Sequence, residues 1–328
     1  DKILRHVSGA FREDPVRVLR VARLASKLGF DIAPETASLC REMVAAGELD
    51  HLTPERVQQE LIKTLGQQNP SRFFTALDEV GALEKLFPEV YALKGQSQPA
   101  EHHAEGDAFV HTMMVLDAVY DLAPHDRIDG RLTGDEFGKV DLPLNAFAAL
   151  CHDLGKGLTP KELLPKHHGH EEAGVPVTED LCHRLMMPSK FERVAVKATR
   201  FHGHIHLSKV MTPKSFARIF DAMGGLTQKG DIEIVARIGL ADEVGRIYDR
   251  KARYKEHDRF LTAMSAVSKV RIRDAFAPEQ LATMGQAKIV EALQRLRTKA
   301  AATALAEFAG TREPQARARN SHRQIERD

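Results

Sequence analysis

His152 and Asp153 stand side by side and run directly into Leu154, Gly155 and Lys156. Imidazole nitrogens and carboxylate oxygens together suit hard-to-borderline divalent metals. His111 lies upstream of the pair, His170 and His202 downstream, and Asp242 last. Twelve of the sixteen histidines fall between His102 and His206, where surface histidines would be expected to scatter. The chemistry implied is metal-assisted hydrolysis. An ion held by imidazoles and a carboxylate leaves a position for water, whose pKa falls toward ~7, so that it can attack phosphorus. Asp153, with two oxygens, is the natural bridge if two ions bind. Lys156 is spaced to neutralise a phosphate oxygen, and Gly155 and Gly157 would let the main chain approach substrate.

These residues need helices to hold them. Ala148, Ala149, Leu150 and Cys151 place the His-Asp pair at the end of an apolar helix, where two such polar residues seldom stand without a use. Asp242 falls in the apolar run Ile238–Asp242, and its competing role is an i, i+4 ion pair with Arg246. His125 and His183 read as satisfied core histidines. For His167, His168, His204 and His206, plain solvent exposure is as good a reading as a role.

Strand signals are nearly absent and apolar residues recur at helical spacing, so the fold class is all-α. The first helix has Glu13 and Asp14 at its start, Pro15 in its first turn and Gly29 at its end. Val18, Leu19, Val21, Ala22, Ala25 and Leu28 form its buried side. Further helices are expected over Pro34–Ala46, Pro54–Leu65, Pro70–Glu79 and Gly81–Phe87. The polar stretch Leu93–Asp107 reads as a linker or entry loop, and a second helical region runs from Ala108 to Ile247. Pro124–Pro143 interrupts it as a surface loop. An acidic-basic helical stretch follows Tyr248, and Gly310–Asp328, with five arginines, should have no stable fold. The chain opens on Asp1 inside what looks like a helical segment, and is expected to be part of something longer.

Composition narrows the classes. The chain has 328 residues, enough for two or three domains, with 43% hydrophobic and 28% charged residues. Lys+Arg and Asp+Glu number 47 and 46, so global charge does not point to nucleic acid. Cys40, Cys151 and Cys182 are far apart and form no CxxC pair. That argues against a thiolate zinc site or a disulfide framework, and fits a reducing cytoplasm. No apolar run approaches the ~20 residues that span a bilayer.

At the N-terminus, Asp14 and Arg17 put a carboxylate and a guanidinium three residues apart on one helical face, with Arg20, Arg23 and Lys27 adding positive charge beside them. Such a pair can present acceptors and donors to a base edge. On the residues alone, an acidic first turn with an intrahelical ion pair is the preferred reading.

His111-Thr112, Cys151-His152-Asp153-Leu154-Gly155-Lys156, His170-Glu171-x-x-Gly174, His202 and Asp242 together resemble the ordered motifs of HD-domain metal-dependent phosphohydrolases. That resemblance implies that His111, His152, Asp153 and Asp242 hold a first ion, and that His170 and His202 serve a second ion or the scissile phosphate. The segment from Leu4 to Arg23, with Phe11-x-Glu13-Asp14-Pro15-x-Arg17, resembles the neck of bacterial class II CCA-adding tRNA nucleotidyltransferases. Gly47–Val57, Gly81-Ala82-Leu83 and Leu86-Phe87-Pro88-Glu89 extend the likeness, which runs to about residue 250 and is greatest to the multifunctional variety with an HD domain. By this resemblance Asp14 and Arg17 would template CTP or ATP, with Arg20 beside them, and Arg23 and Lys27 would meet RNA. The family's polymerising head carries Gly-Ser and an Asp-x-Asp pair. This sequence has neither, so that metal site is absent from it. The loop Pro124–Pro143 also looks longer than the family's usual connection.

The expected organisation is a neck and body over residues 1–98, an HD phosphohydrolase domain over 99–250, and a helical tail with a disordered end over 251–328. Expected substrates are 2′,3′-cyclic phosphates, 2′-nucleotides and small phosphate esters, with His152, Asp153 and Lys156 catalytic. Nickel, cobalt or manganese suits the mixed His/Asp set better than magnesium. Magnesium would serve nucleotidyl transfer in an intact parent. Expected partners are the tRNA 3′ end and, in that parent, CTP and ATP. No membrane is expected, and a homodimer is kept open. The alternatives are a tRNA-binding module with a vestigial metal site, its arginines meeting phosphates in a salt-dependent way, and a stand-alone HD nucleotide phosphohydrolase.

Overall fold

The computed structural model describes residues 2–122, 140–246 and 254–310. Among these the chain is all-α apart from two short strands, Ile3–Leu4 and Asp31–Ile32, which pair in parallel. The chain start is therefore extended, not helical. Loop residues 124–139 and tail residues 311–328 lie outside the described part, as does His125.

Most expected helices form near their expected bounds. The first spans Val16–Leu28 and stops at Gly29, whose φ of 62° is a left-handed conformation that glycine adopts without strain. Its buried side is the expected one except for Leu28, which is exposed at the last turn. Helices follow at Pro34–Ala45, Pro54–Leu65, Ser71–Glu79, Leu83–Leu86 and Pro88–Tyr91. Proline stands in the first turn of three of these five, where its missing N–H is no loss.

The chain divides into two compact units. The first comprises residues 1–203 and 237–251. At its middle is the helix Leu142–Cys151, every residue of which from Leu144 onward is buried. Its start lies inside the expected surface loop: Asp141 accepts the Leu144 N–H at 3.3 Å, and Pro143 fits the first turn. Ala108–Leu122, Ser189–Phe201 and Pro54–Leu65 all pack on this helix, so apolar faces surround it. His170–Arg184 packs on Ser189–Phe201 and on the 3-10 turn Leu154–Leu158 that follows the central helix. The polar stretch before Ala108 folds back on itself, with the Gly95 N–H bonded to Asp107 at 2.7 Å and a bridge between Ser97 and Asp107.

The second unit comprises residues 204–236 and 252–328. Its helices Pro213–Ala222, Tyr254–Lys269 and Gln286–Gly310 pack on one another. Phe216 and Phe260 meet at 6.0 Å between ring centroids. Arg297 is buried, pairs with Asp221 and lies over the Phe220 ring at 5.2 Å. No helix among the described residues is long and apolar enough to cross a membrane.

Candidate metal centre

Six side chains that the sequence scatters over 132 positions, from His111 to Asp242, meet inside the first unit. His111 comes from the helix Ala108–Leu122, and His152 caps the central helix with Asp153 next to it. His170 opens the helix His170–Arg184, His202 caps Ser189–Phe201, and Asp242 sits near the end of Lys229–Val244. The Asp153 carboxylate faces two pairs of imidazoles. Its Oδ2 lies 3.1 Å from His152 Nε2 and 3.8 Å from His111 Nε2. Its Oδ1 lies 3.3 Å from His170 Nε2 and 3.6 Å from His202 Nε2. Asp242 Oδ1 is 2.9 Å from His111 Nε2, and its carboxylate also groups with His152 and His202.

The other face of each imidazole is tied down. Nδ1 of His152 contacts the Ala149 carbonyl at 2.6 Å, that of His170 the His167 carbonyl at 2.7 Å, and that of His202 the Ala198 carbonyl at 3.0 Å. Two of these carbonyls lie in the last turn of a helix, where such acceptors need partners from outside the ladder. Nδ1 of His111 contacts the Glu105 carboxylate at 2.8 Å. A carbonyl can only accept, so in His152, His170 and His202 these bonds place the proton on Nδ1 and turn the Nε2 lone pair inward, whereas His111 meets a carboxylate at each nitrogen.

This leaves acceptor facing acceptor. Nε2 of His152 and of His170 and both oxygens of Asp153 are buried and take no hydrogen bond of ordinary geometry. Buried polar atoms are rarely left so, and lone pairs 3.1 Å apart repel unless a cation lies between them. The donor set of imidazole nitrogens and carboxylate oxygens is the one a divalent ion takes, so the residues fit a metal.

Nearby cations respond to the same field. Lys156 is buried, its ammonium 2.6 Å from Asp153 Oδ2 while it donates to Gln98 Oε1 at 2.6 Å. Arg246 donates to both Asp242 oxygens, at 3.0 and 3.2 Å. The i, i+4 pair and the inward-facing carboxylate thus coexist, because Asp242 Oδ1 meets both Arg246 and His111. Burial alone would raise the Asp153 carboxyl, but His152 and Lys156 hold it well below the usual carboxylate range. Burial, then the charge of His152, pushes His202 down to about 3. Burial also opposes charge on His111, yet Asp242 and Glu105 together raise it. His170 is raised in the same way by Asp153.

Three neighbours were not singled out from the sequence. The Glu105 side chain is fully buried and accepts from both His103 and His111, at 2.9 and 2.8 Å. Burial would raise its carboxyl, but these two imidazoles bring it down to about 2. Burial and the neighbouring His111 lower His103 to about 4. Gln98, also buried, holds Lys156. All three lie in the polar stretch Leu93–Asp107, whose only sequence signal was a His-His pair followed by a carboxylate.

The two glycines do something other than expected. A Cβ on Gly155 would meet the His170 carbonyl at 2.0 Å and Gly174 N at 2.6 Å. One on Gly174 would meet Thr199 at 2.8 Å and Gly155 N at 2.9 Å. This pair therefore lets the turn carrying Asp153 lie against the helix carrying His170. Gly157 packs against Ala92. The open sides of Gly155 and Gly157 face protein, not substrate. His183 is also different from expectation, being 70% exposed and paired with Glu192 at 3.2 Å. His167 bridges Thr159 and the Ser97 carbonyl, His168 is exposed, and His204 and His206 are half-buried.

The N-terminal residues stand apart from this centre. Asp14 precedes the first helix and does not share a helical face with Arg17. Both its oxygens accept from Arg56 at 2.8 Å, and one accepts the Val16 N–H at 3.2 Å. Slight burial pushes its carboxyl up, but the Val16 N–H and Arg56 keep it below the ordinary value. Arg17 donates to the Ala10 carbonyl. Arg23 and Arg20 approach Glu60 at 2.6 and 3.7 Å. Lys27 is exposed in the last turn. Arg17 and Arg20 line a cavity of about 320 Å³ with Arg5, His6 and Phe11.

Two segments of the chain match known families. Residues 29–93 match the family described as the probable RNA and SrmB-binding site of polymerase A, and residues 108–247 match the HD domain. The latter range contains all six converging residues. A CCA-adding enzyme in complex with ATP is 15% identical, with a TM-score of 0.54 over 92% of this chain and 59% of that one. A Thermotoga maritima CCA-adding enzyme complexed with tRNA is 16% identical, with a TM-score of 0.52 over 95% and 65%. At this identity the likeness is one of fold, and the chain spans under two thirds of either structure. The chain thus joins a match to that RNA-binding family to an HD-domain match, on a fold similar to that of CCA-adding enzymes.

Proposed function

We propose that the chain is a divalent-metal-dependent phosphohydrolase of the HD type, acting on 2′,3′-cyclic phosphates, 2′-nucleotides and small phosphate esters. One observation carries the reading: imidazoles and carboxylates from five elements converge, and at their middle His152 Nε2, His170 Nε2 and both Asp153 oxygens are buried with no hydrogen bond of ordinary geometry to satisfy them. His111, His152, Asp153 and Asp242 would hold one ion, and His170 and His202, sharing Asp153, a second ion or the substrate phosphate. When bound, such an ion supplies a Lewis acid for the phosphoryl oxygen and lowers the pKa of water. Nickel, cobalt or manganese suits the ligand set.

The chain's own residues do the rest. The Nδ1 anchors keep the imidazoles aimed inward, so little reorganisation is needed when substrate arrives. Lys156, held by Gln98 beside Asp153, is placed to take a phosphoryl oxygen in a charge-assisted bond. Surrounding helices exclude bulk water, which strengthens each of these interactions.

The body ahead of it, over residues 1–98, fits tRNA and nucleotide recognition, with 99–250 as the hydrolase and 251–328 as a helical tail. The tRNA 3′ end is the proposed partner. Asp14, Arg17 and Arg20 would meet CTP or ATP, and Arg23 and Lys27 RNA, in a longer parent that uses magnesium. The cavity beside Arg17 and Arg20 supports this placement. The cytoplasm is the proposed location, with a homodimer kept open.

Purified chain supplied with nickel, cobalt or manganese should release phosphate from an aryl phosphate or open a 2′,3′-cyclic nucleotide, and His152→Ala should abolish both. Activity unchanged in that variant refutes the assignment. The match of residues 29–93 to an RNA-binding family favours one second reading, a tRNA-binding module without hydrolysis. It predicts chelator-insensitive tRNA binding and no turnover with any metal.

A further inference from the structure

Four histidines turn Nε2 toward the centre, and three of them are steered by main-chain carbonyls that no substitution removes. His111 is the exception. Its Nδ1 depends on a side chain, Glu105, which is buried to 0% exposure and reaches in from the polar stretch before Ala108. One oxygen of Glu105 accepts from both His103 and His111, and the other is buried without a partner. The charge of this carboxylate is therefore directed at the two imidazoles and is little shared with water. A carboxylate behind a metal-binding imidazole fixes its tautomer and makes the far nitrogen a stronger donor.

We infer that Glu105 is a positioning residue that sets the affinity of the first ion by orienting and polarising His111. The inference rests on the metal-centre reading and deepens it. His103 has the supporting part. Its ring meets that of His111 edge-on at 4.7 Å between centroids and holds Glu105 from the far side, so it braces the carboxylate without facing Asp153. His103, Glu105 and His111 also lie close enough to be ligands to one ion by themselves, which is the rival to be excluded.

Three variants of the full chain separate the cases: Glu105→Gln, Glu105→Asp and His103→Ala. Nickel(II) and manganese(II) binding is measured by calorimetric titration, and the His111 ring nitrogens by ¹⁵N NMR on metal-free protein. Glu105→Gln should weaken the first ion roughly 10- to 100-fold, the range for losing such a carboxylate, and should shift the His111 Nδ1 resonance. Glu105→Asp, one methylene shorter, should fall in between, and it decides the matter if the Gln variant does not fold. His103→Ala should change affinity by less than about threefold, because an ordinary ligand loss would cost far more. Wild-type affinity in both Glu105 variants overturns the inference. Equal loss in His103→Ala and Glu105→Gln also overturns it, in favour of a separate three-residue site. If the unmodified chain takes up no metal, the phosphohydrolase reading fails. The NMR comparison then still decides whether Glu105 fixes the His111 ring, and an unmoved Nδ1 resonance overturns that too.

Discussion

Two charged assemblies in the first unit make opposite use of the same residue types. Around the first helix, acidic groups meet bases: Arg5 with Glu35, Arg12 with Glu42, Arg56 with Asp14, and Arg20, Arg23 and Lys63 with Glu60. Most of these side chains are partly exposed, so each pair is worth little more than about 1 kcal/mol. Around Asp153, by contrast, the groups are buried, and although Lys156 reaches Oδ2, the carboxylate oxygens still face the unsatisfied Nε2 atoms of His152 and His170. A protein keeps such an arrangement only where something positive completes it. Paired charges at the surface join elements together, whereas convergent lone pairs in the interior mark a place for a cation.

The strongest way to break this contrast is to remove its centre. Asp153→Asn should lose measurable metal uptake by elemental analysis and lower phosphate release by at least about 100-fold, since both imidazole pairs lose the carboxylate they share. Retained metal and turnover would sink the interior half of the comparison. Gly155→Ala should come next. The new methyl cannot avoid the His170 carbonyl, so the turn must shift, at a cost of about 1–3 kcal/mol or more in denaturant unfolding, with metal affinity falling alongside. A variant as stable as the parent would show that the two backbones need not touch.

Acid should also distinguish the two regions. His103 and His202 stay neutral in the fold down to about 4 and about 3, whereas free imidazole takes a proton near 6.5. Between pH 6.5 and those values these two groups bind more protons in the unfolded chain, so metal-free stability should fall as pH falls through that window, offset only in part by the raised His111 and His170. Glu105, brought down to about 2, adds a further loss below its ordinary 4.5. Melting temperatures of metal-free protein from pH 7 to pH 4 check this, and a flat profile would contradict it.

The smallest effects belong to the first helix. Glu60→Ala leaves Arg23, only 18% exposed, without its carboxylate, and should cost about 1–2 kcal/mol. Arg20→Ala, at a half-exposed and longer pair, should stay within about 0.5 kcal/mol. If Arg20 meets RNA phosphate, the same variant should lower the salt dependence of tRNA binding by about one ion. An unchanged slope removes Arg20 from the interface.

How much of this was legible in the residues differs by region, for physical reasons. His152, Asp153, Asp242 and their apolar surroundings could be read because a polar pair in a hydrophobic helical run is costly, and its cost shows locally. Helix bounds near prolines could be read for the same local reason. Glu105 and Gln98 could not, because they lie in a stretch with no periodicity, and burial there is decided by what the loop folds against. Gly155 was legible as a close approach, but its neighbour was mistaken: a missing Cβ says that something comes near, not what. His183 carries the same lesson, since a histidine flanked by apolar residues on one side of a helix still rotates to solvent if no element covers it.

The chain by itself determined the donor set, nitrogen and oxygen ligands standing in apolar helical runs, on which the proposed chemistry rests. It also determined the helices, whose start and stop signals act over a few residues. Only the tertiary structure decided which carboxylate stands behind which imidazole, as with Glu105 and His111, and that Asp14 meets Arg56 before Arg17. Those pairings join residues whose separation in sequence says nothing of their distance in space, and that distance is set by the packing of whole helices.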